Sequence, residues 1–157
     1  MNTFPLTVEG EIKLRKDLEQ MISVDRPRVI ESIATARAHG DLKENAEYHA
    51  AREEQSFLEA KIAKYETVLS SSQIIDVKTL PQNGKVVFGT TVNIYDLDTN
   101  VEVKYQIVGD IESDIDQNKI SISSPIARAL IGKEVGDVAE IQVPSGKREV
   151  EILSIDY

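Results

Sequence analysis

The amino-acid sequence predicts an α+β protein: a long antiparallel α-helical hairpin, then an antiparallel sheet carrying one short helix. Three observations predict it. Apolar residues recur at steps of three, four or seven from Leu14 to Leu69, as on the buried stripe of a helix. From about Gln73 the pattern turns to alternating or β-branched runs separated by turn residues, the signature of strands. Gly40 stands where the two helical runs meet, in the stretch AHGDLKENAEYHAA at 38–51.

The first helix is expected to start after Thr7, whose hydroxyl can accept from a free amide of the first turn. Leu14, Leu18, Ile22, Val29, Ile33 and Ala36 form its stripe, with one gap at Asp25 to Pro27. Pro27 should kink or break the helix there, because it lacks an N–H and its ring crowds the preceding turn. Asp25 is then a candidate cap for the restarted piece. Gly40 can close the helix in a left-handed conformation that a Cβ would oppose. Ala51, Leu58, Ile62, Tyr65 and Leu69 mark the returning helix at nearly heptad spacing, so the pair reads as a coiled-coil hairpin. Arms of about 30 residues at 1.5 Å per residue reach on the order of 45 Å. Two helices bury only one seam, so an arm this long suits reaching better than stability.

The second half reads as QIIDV, TTVNIYDL, VEVKYQIVG, KISISS, VAEIQV and REVEILSI, with DLDTN and PSGK as turns. Within it PIARALIGK has Pro125 at a helix start and Gly132 at its stop. The expected domains are residues 1–75, a hairpin with an acidic tip near 40–45, and residues 76–157.

Composition narrows the function. The chain has 157 residues, no cysteine and a net charge of −9, which excludes a disulfide framework and thiolate metal sites. Residues 1–75 hold 10 basic and 13 acidic residues and residues 76–157 hold 8 and 14, so neither half resembles a protein that wraps duplex DNA. Any nucleic-acid contact must be local or secondary to a protein partner. No apolar run is long enough to span a bilayer, and no secretory leader is visible, so a cytoplasmic location and no membrane partner are expected. No phosphate-cradling glycine loop or nucleophile elbow is present, and nothing marks a freestanding enzyme or a small-molecule substrate.

The tip supports two readings. In one, Asp41 caps the second helix and Glu44 completes a capping box, both favoured by the helix dipole. In the other, the same two carboxylates are half of a Mg²⁺ site. They are too few for a private cage, since Mg²⁺ takes six oxygens, but enough to complete a site on a partner that transfers phosphoryl groups. Arg37 and Arg52 lie near the tip as ordinary surface charge or as a small patch for a phosphate backbone. Tyr48 is seam filler or a stacking platform for an unpaired base. His39 and His49 lack the fixed spacing of zinc ligands and read as solvated.

ARAHGDLKENAEYHAAREEQSFLEAKI at 36–62, VFGTTVNI at 87–94, YQIVGD at 105–110 and SPIARALIGKEVGDV at 124–138 closely resemble the bacterial transcript-cleavage factors of the GreA/GreB family. The resemblance covers essentially the whole chain. It implies that residues 76–157 take a fold like that of FK506-binding proteins and dock on RNA polymerase, near the entrance of its secondary channel. The hairpin then enters the channel, and Asp41 and Glu44 share a Mg²⁺ with the polymerase active centre, none being held stably by the factor alone. The polymerase, not the factor, cleaves the 3′ end of backtracked nascent RNA and resumes elongation. On the same resemblance Arg37 and Arg52 face the RNA, and Ser124, Pro125 and Ile126 belong to the docking surface. The competing readings are a channel-binding inhibitor without cleavage stimulation and a structural or chaperone-like hairpin. The Asp41-x-x-Glu44 spacing speaks against the inhibitor. Prolyl isomerase activity is not expected, because the pocket needs an aromatic wall and only Phe88, Tyr95, Tyr105 and Tyr157 are available after residue 76.

Overall fold

The computed structural model describes residues 3–157. The chain divides into two units: Glu11–Ser72, and Phe4–Gly10 together with Gln73–Tyr157.

The first unit is the helical hairpin. Its outgoing arm runs as α1 (Val8–Gln20), one π-helical turn (Met21–Asp25) and α2 (Arg26–Arg37); α3 (Ala46–Ser70) returns. Val29, Ile33 and Ala51 form the buried seam near the tip, with Tyr48 and Leu58 packed against them. Two cross-arm ion pairs edge the seam. Arg26 is bidentate to Glu59 at 2.8 Å and Arg28 reaches Glu54 at 2.6 Å.

Two sequence expectations need correction here. Pro27 neither breaks the helix nor needs a cap: Asp25 has helical dihedrals and makes no side-chain capping bond. The π turn ends two residues before Pro27 and contains Ser23, the residue four positions back whose carbonyl the ring would crowd. Its wider spiral accommodates the proline and adds one residue to the arm. The same extra residue re-phases the stripe. Met21 is buried and Ile22 is exposed, the reverse of the expectation for Ile22. The buried positions Leu14, Met21, Val29 and Ala36 are spaced seven, eight and seven, and the eight spans the π turn. A plain α-helix would rotate Val29 about 80° off the Met21 face over eight residues, and the π turn removes that offset.

The second unit is a curled five-stranded sheet. In chain order its strands are β3 (Thr91–Asp96), β4 (Val101–Val108), β5 (Lys119–Ser121), β6 (Val138–Val143) and β7 (Gly146–Asp156), arranged β5-β4-β3-β7-β6. The pairs are antiparallel, as expected, except at the edge, where the short β5 runs parallel to β4. The inner face carries Val92, Ile94, Ile107, Ile141, Val150 and Ile152, and α4 (Pro125–Leu130) covers it with Ala127 and Leu130. Truncating a side chain such as Leu130, fully buried, would cost about 2–5 kcal/mol. Asp96 ties the end of β3 to the following turn and to β7. It accepts from the Asp98 and Thr99 amides at 2.9 and 3.2 Å and pairs with Arg148 on β7. Burial pushes its carboxyl up, but those amides and the guanidinium outweigh burial and hold it below the usual range.

A separate two-stranded ladder joins β1 (Phe4–Thr7) to β2 (Ser72–Ile75). Thr7 ends β1 and caps α1 as expected, its hydroxyl accepting from the Gly10 amide at 2.9 Å. Glu112 secures this corner by accepting from the Thr7 and Gly109 amides at 3.0 and 3.1 Å. A Cβ on Gly10 would lie 1.9 Å from the Glu112 carboxylate, so any side chain there would displace Glu112 from these bonds.

Candidate functional site at the hairpin tip

Residues 38–45 connect α2 to α3. Gly40 has φ +135°, a backbone conformation that disfavours any side chain. Asp41, Leu42, Lys43 and Glu44 follow, all exposed. The expected capping box is not formed. Helix α3 starts at Ala46, and its cap is Asn45, whose side-chain carbonyl accepts from the Tyr48 amide at 3.0 Å. The Asn45 amide nitrogen also donates to the Ala36 carbonyl at 2.6 Å, joining the ends of the two arms. An ionised aspartate only accepts, so it could make the first bond and not the second. That difference explains why Asn45, not Asp41, occupies the cap.

The tip carboxylates are therefore not consumed by the helix. One Asp41 oxygen accepts from the Lys43 amide at 3.0 Å, a local turn that leaves the other oxygen open. Among the described residues no hydrogen bond or ion pair engages the Glu44 carboxylate. Both are hard oxygen donors of the kind Mg²⁺ prefers. No group of three or more His, Asp or Glu residues that could hold a metal exists among the described residues. Two carboxylates supply fewer oxygens than the six Mg²⁺ takes, so the donor set fits part of such a site.

The flanking residues converge. Arg37 and Arg52, from opposite arms, line one groove of about 220 Å³ with Ile30, Ile33, Ala34 and Gln55. Both arginines are exposed; Arg52 touches Gln55 at 3.3 Å. Tyr48 is half-buried in the seam, with the Arg37 guanidinium 5.8 Å from its ring centre. His39 pairs with Glu47 at 2.8 Å, and His49 contacts the Lys43 carbonyl at 3.1 Å. Sequence reasoning missed Asn45 as the cap and the contact that His49 makes. Asn45 was overshadowed by the better-looking Asp-x-x-Glu pattern, although an asparagine directly before a helical run is itself a cap pattern. The histidine's partner is a backbone carbonyl, which no residue spacing encodes.

In the second unit Ser124, Pro125 and Ile126 open α4. The Ser124 hydroxyl accepts from the Ala127 amide at 3.2 Å and Pro125 occupies the first turn, so Ser124 serves as a cap. Pro125 is exposed, while Ile126 lines an apolar cup of about 410 Å³ with Val101, Tyr105, Val143 and Arg148. Tyr105 is the one aromatic residue lining that cup. Asp110 braces the preceding loop by accepting from the hydroxyls of Ser121 and Ser123, and these bonds hold its carboxyl below the usual range.

Two family models account for nearly the whole chain. The N-terminal model for transcription elongation factors matches residues 4–74, and the C-terminal GreA/GreB transcription elongation factor model matches residues 81–157. The transcription elongation factor GreA of Thioalkalivibrio sulfidiphilus is 59% identical over 100% of this chain and 99% of its own length. That of Legionella pneumophila (strain Corby) is 57% identical over 100% of this chain and 98% of its own. Among solved structures, GreA factor homolog 1 of Thermus thermophilus is similar at 28% identity. It covers 99% of this chain and 100% of its own, with a TM-score of 0.45.

Proposed function

The chain belongs to the GreA/GreB family of transcription elongation factors, and from that premise we propose that it enters the secondary channel of RNA polymerase and stimulates cleavage of backtracked RNA. The factor is not itself an enzyme. The observation that carries the reading is at the tip: Asn45 caps α3, which leaves the Glu44 carboxylate and one Asp41 oxygen for an outside partner. Asp41 and Glu44 would together supply carboxylate oxygens to a Mg²⁺ shared with the polymerase active centre. Bound there, Mg²⁺ orients and activates the attacking water.

The rest of the chain does the positioning. Arms on the order of 45 Å carry the tip into a channel. Arg37 and Arg52, lining one groove, offer charge to the phosphates of the extruded 3′ segment, a contact that positions and does not read sequence. Tyr48 supports Arg37 from below and is available at its exposed edge to an unpaired base. Exposed Pro125, with Ile126 at the cup and Ser124 holding the turn, provides the docking surface on polymerase. Polymerase and its RNA place this action in the cytoplasm; no helix among the described residues is long and apolar enough to cross a membrane.

The test is direct. Added to purified polymerase complexes stalled in a backtracked register, the protein should shorten the RNA from its 3′ end and restore elongation. Occupancy of the polymerase without cleavage would instead establish the inhibitor reading.

A further inference from the structure

We infer that His49 is a positioning residue for the two tip carboxylates, acting through the backbone of Lys43. The Lys43 backbone is held on both sides, through the two peptide planes that meet at its Cα. Its N–H donates to Asp41 Oδ1 at 3.0 Å, and its carbonyl lies 3.1 Å from His49 Nε2. A carbonyl only accepts, so Nε2 carries the proton, as it does in both the charged ring and one neutral tautomer. The first bond fixes Asp41 to the turn. The second fixes the peptide plane from which Glu44 departs. His49 thereby sets both carboxylates relative to the first turn of α3, although it touches neither.

The ring is itself supported. It stands edge-on to Tyr48, with centroids 5.6 Å apart and planes at 66°, and Tyr48 is packed into the seam. The brace therefore runs from the hairpin core to Tyr48, His49, Lys43 and the carboxylates. One exposed hydrogen bond adds little to stability. The placement of reacting groups is far more sensitive, since a misplacement of about 1 Å can cost roughly a hundredfold in rate. The contribution of His49 should therefore be read in cleavage and loop order, and not in melting. This rests on the reading of Asp41 and Glu44 above.

The test uses the full chain with His49→Phe, which keeps a ring and loses the donor, and His49→Gln, which keeps an N–H donor at similar reach. Asp41→Asn serves as the reference. In the free protein, His49→Phe should speed amide exchange at Lys43 while leaving the thermal midpoint in place. In backtracked complexes it should lower the maximal cleavage rate at saturating factor roughly tenfold or more. The factor concentration for half-maximal effect should not change, and His49→Gln should recover most of the loss. Wild-type exchange and maximal rate in His49→Phe would overturn the inference, as would equal impairment of both His49 variants. If Asp41→Asn is inactive while His49→Phe matches wild type, this inference alone falls. If Asp41→Asn is fully active, the reading of the carboxylates falls and takes this one with it.

Discussion

At the tip, the Asn45 side chain accepts from the Tyr48 amide and donates to the Ala36 carbonyl, so a single residue starts α3 and joins the two arms. Replacing it with alanine removes a cap, at about 0.5–2 kcal/mol, and one further hydrogen bond, at about 0.5–1.5 kcal/mol. Asn45→Asp keeps the cap and loses the bond to Ala36, so it should destabilise the hairpin less than Asn45→Ala. Thermal unfolding checks the order: equal midpoints in the two variants would show that the cap contributes nothing, and a wild-type midpoint in Asn45→Asp that the cross-arm bond contributes nothing. The site residues differ in how far the sequence reveals them. Asp41 and Glu44 stand out by charge and spacing, and they are exposed as the reading requires. Their release from capping was not legible, because Asp and Asn rank equally as caps. The choice depends on whether a donor is needed toward Ala36, a contact between residues nine apart in sequence.

On the scale of elements, β3 is fixed at its end by Asp96, which binds the following turn and Arg148 of β7. Its carboxyl is depressed in the folded state: burial raises it, and the two amides and the guanidinium more than reverse that. A depressed acid contributes stability above its unfolded pKa and loses that contribution as pH falls through the folded one. The loss should therefore begin near the ordinary value of 3.8 and continue below it. Asp96→Asn should weaken the sheet at neutral pH and flatten its response to acid, followed by amide exchange at β3. An unchanged acid response would remove Asp96 from the account. The helices and the strands of the five-stranded sheet were legible because each follows one period. The π turn was not, although the stripe held its trace in the eight-residue step from Met21 to Val29 beside Pro27. Strand β1 was also missed, since FPLT is four residues with a proline and makes its pairs with residues far along the chain.

For the whole molecule, the two compact units do not separate at one cut in the chain. Residues Phe4–Gly10 belong with Gln73–Tyr157, held at Thr7 and Gly109 by the Glu112 carboxylate. A fragment starting at Gln73 would lose β1 and its fully buried Leu6, so binding and reach are best separated by point variants in the intact chain. The proposed action of the tip carboxylates is on a metal shared with polymerase. It is tested by cleavage rate in backtracked polymerase complexes across a Mg²⁺ titration, with Asp41→Asn and Glu44→Gln. Asparagine can keep the turn to Lys43, and neither residue caps a helix, so folding and polymerase binding should be nearly normal. Cleavage should be severely reduced in both variants and partly restored by excess Mg²⁺ through mass action. Full cleavage by both variants at ordinary Mg²⁺ would contradict the proposed action.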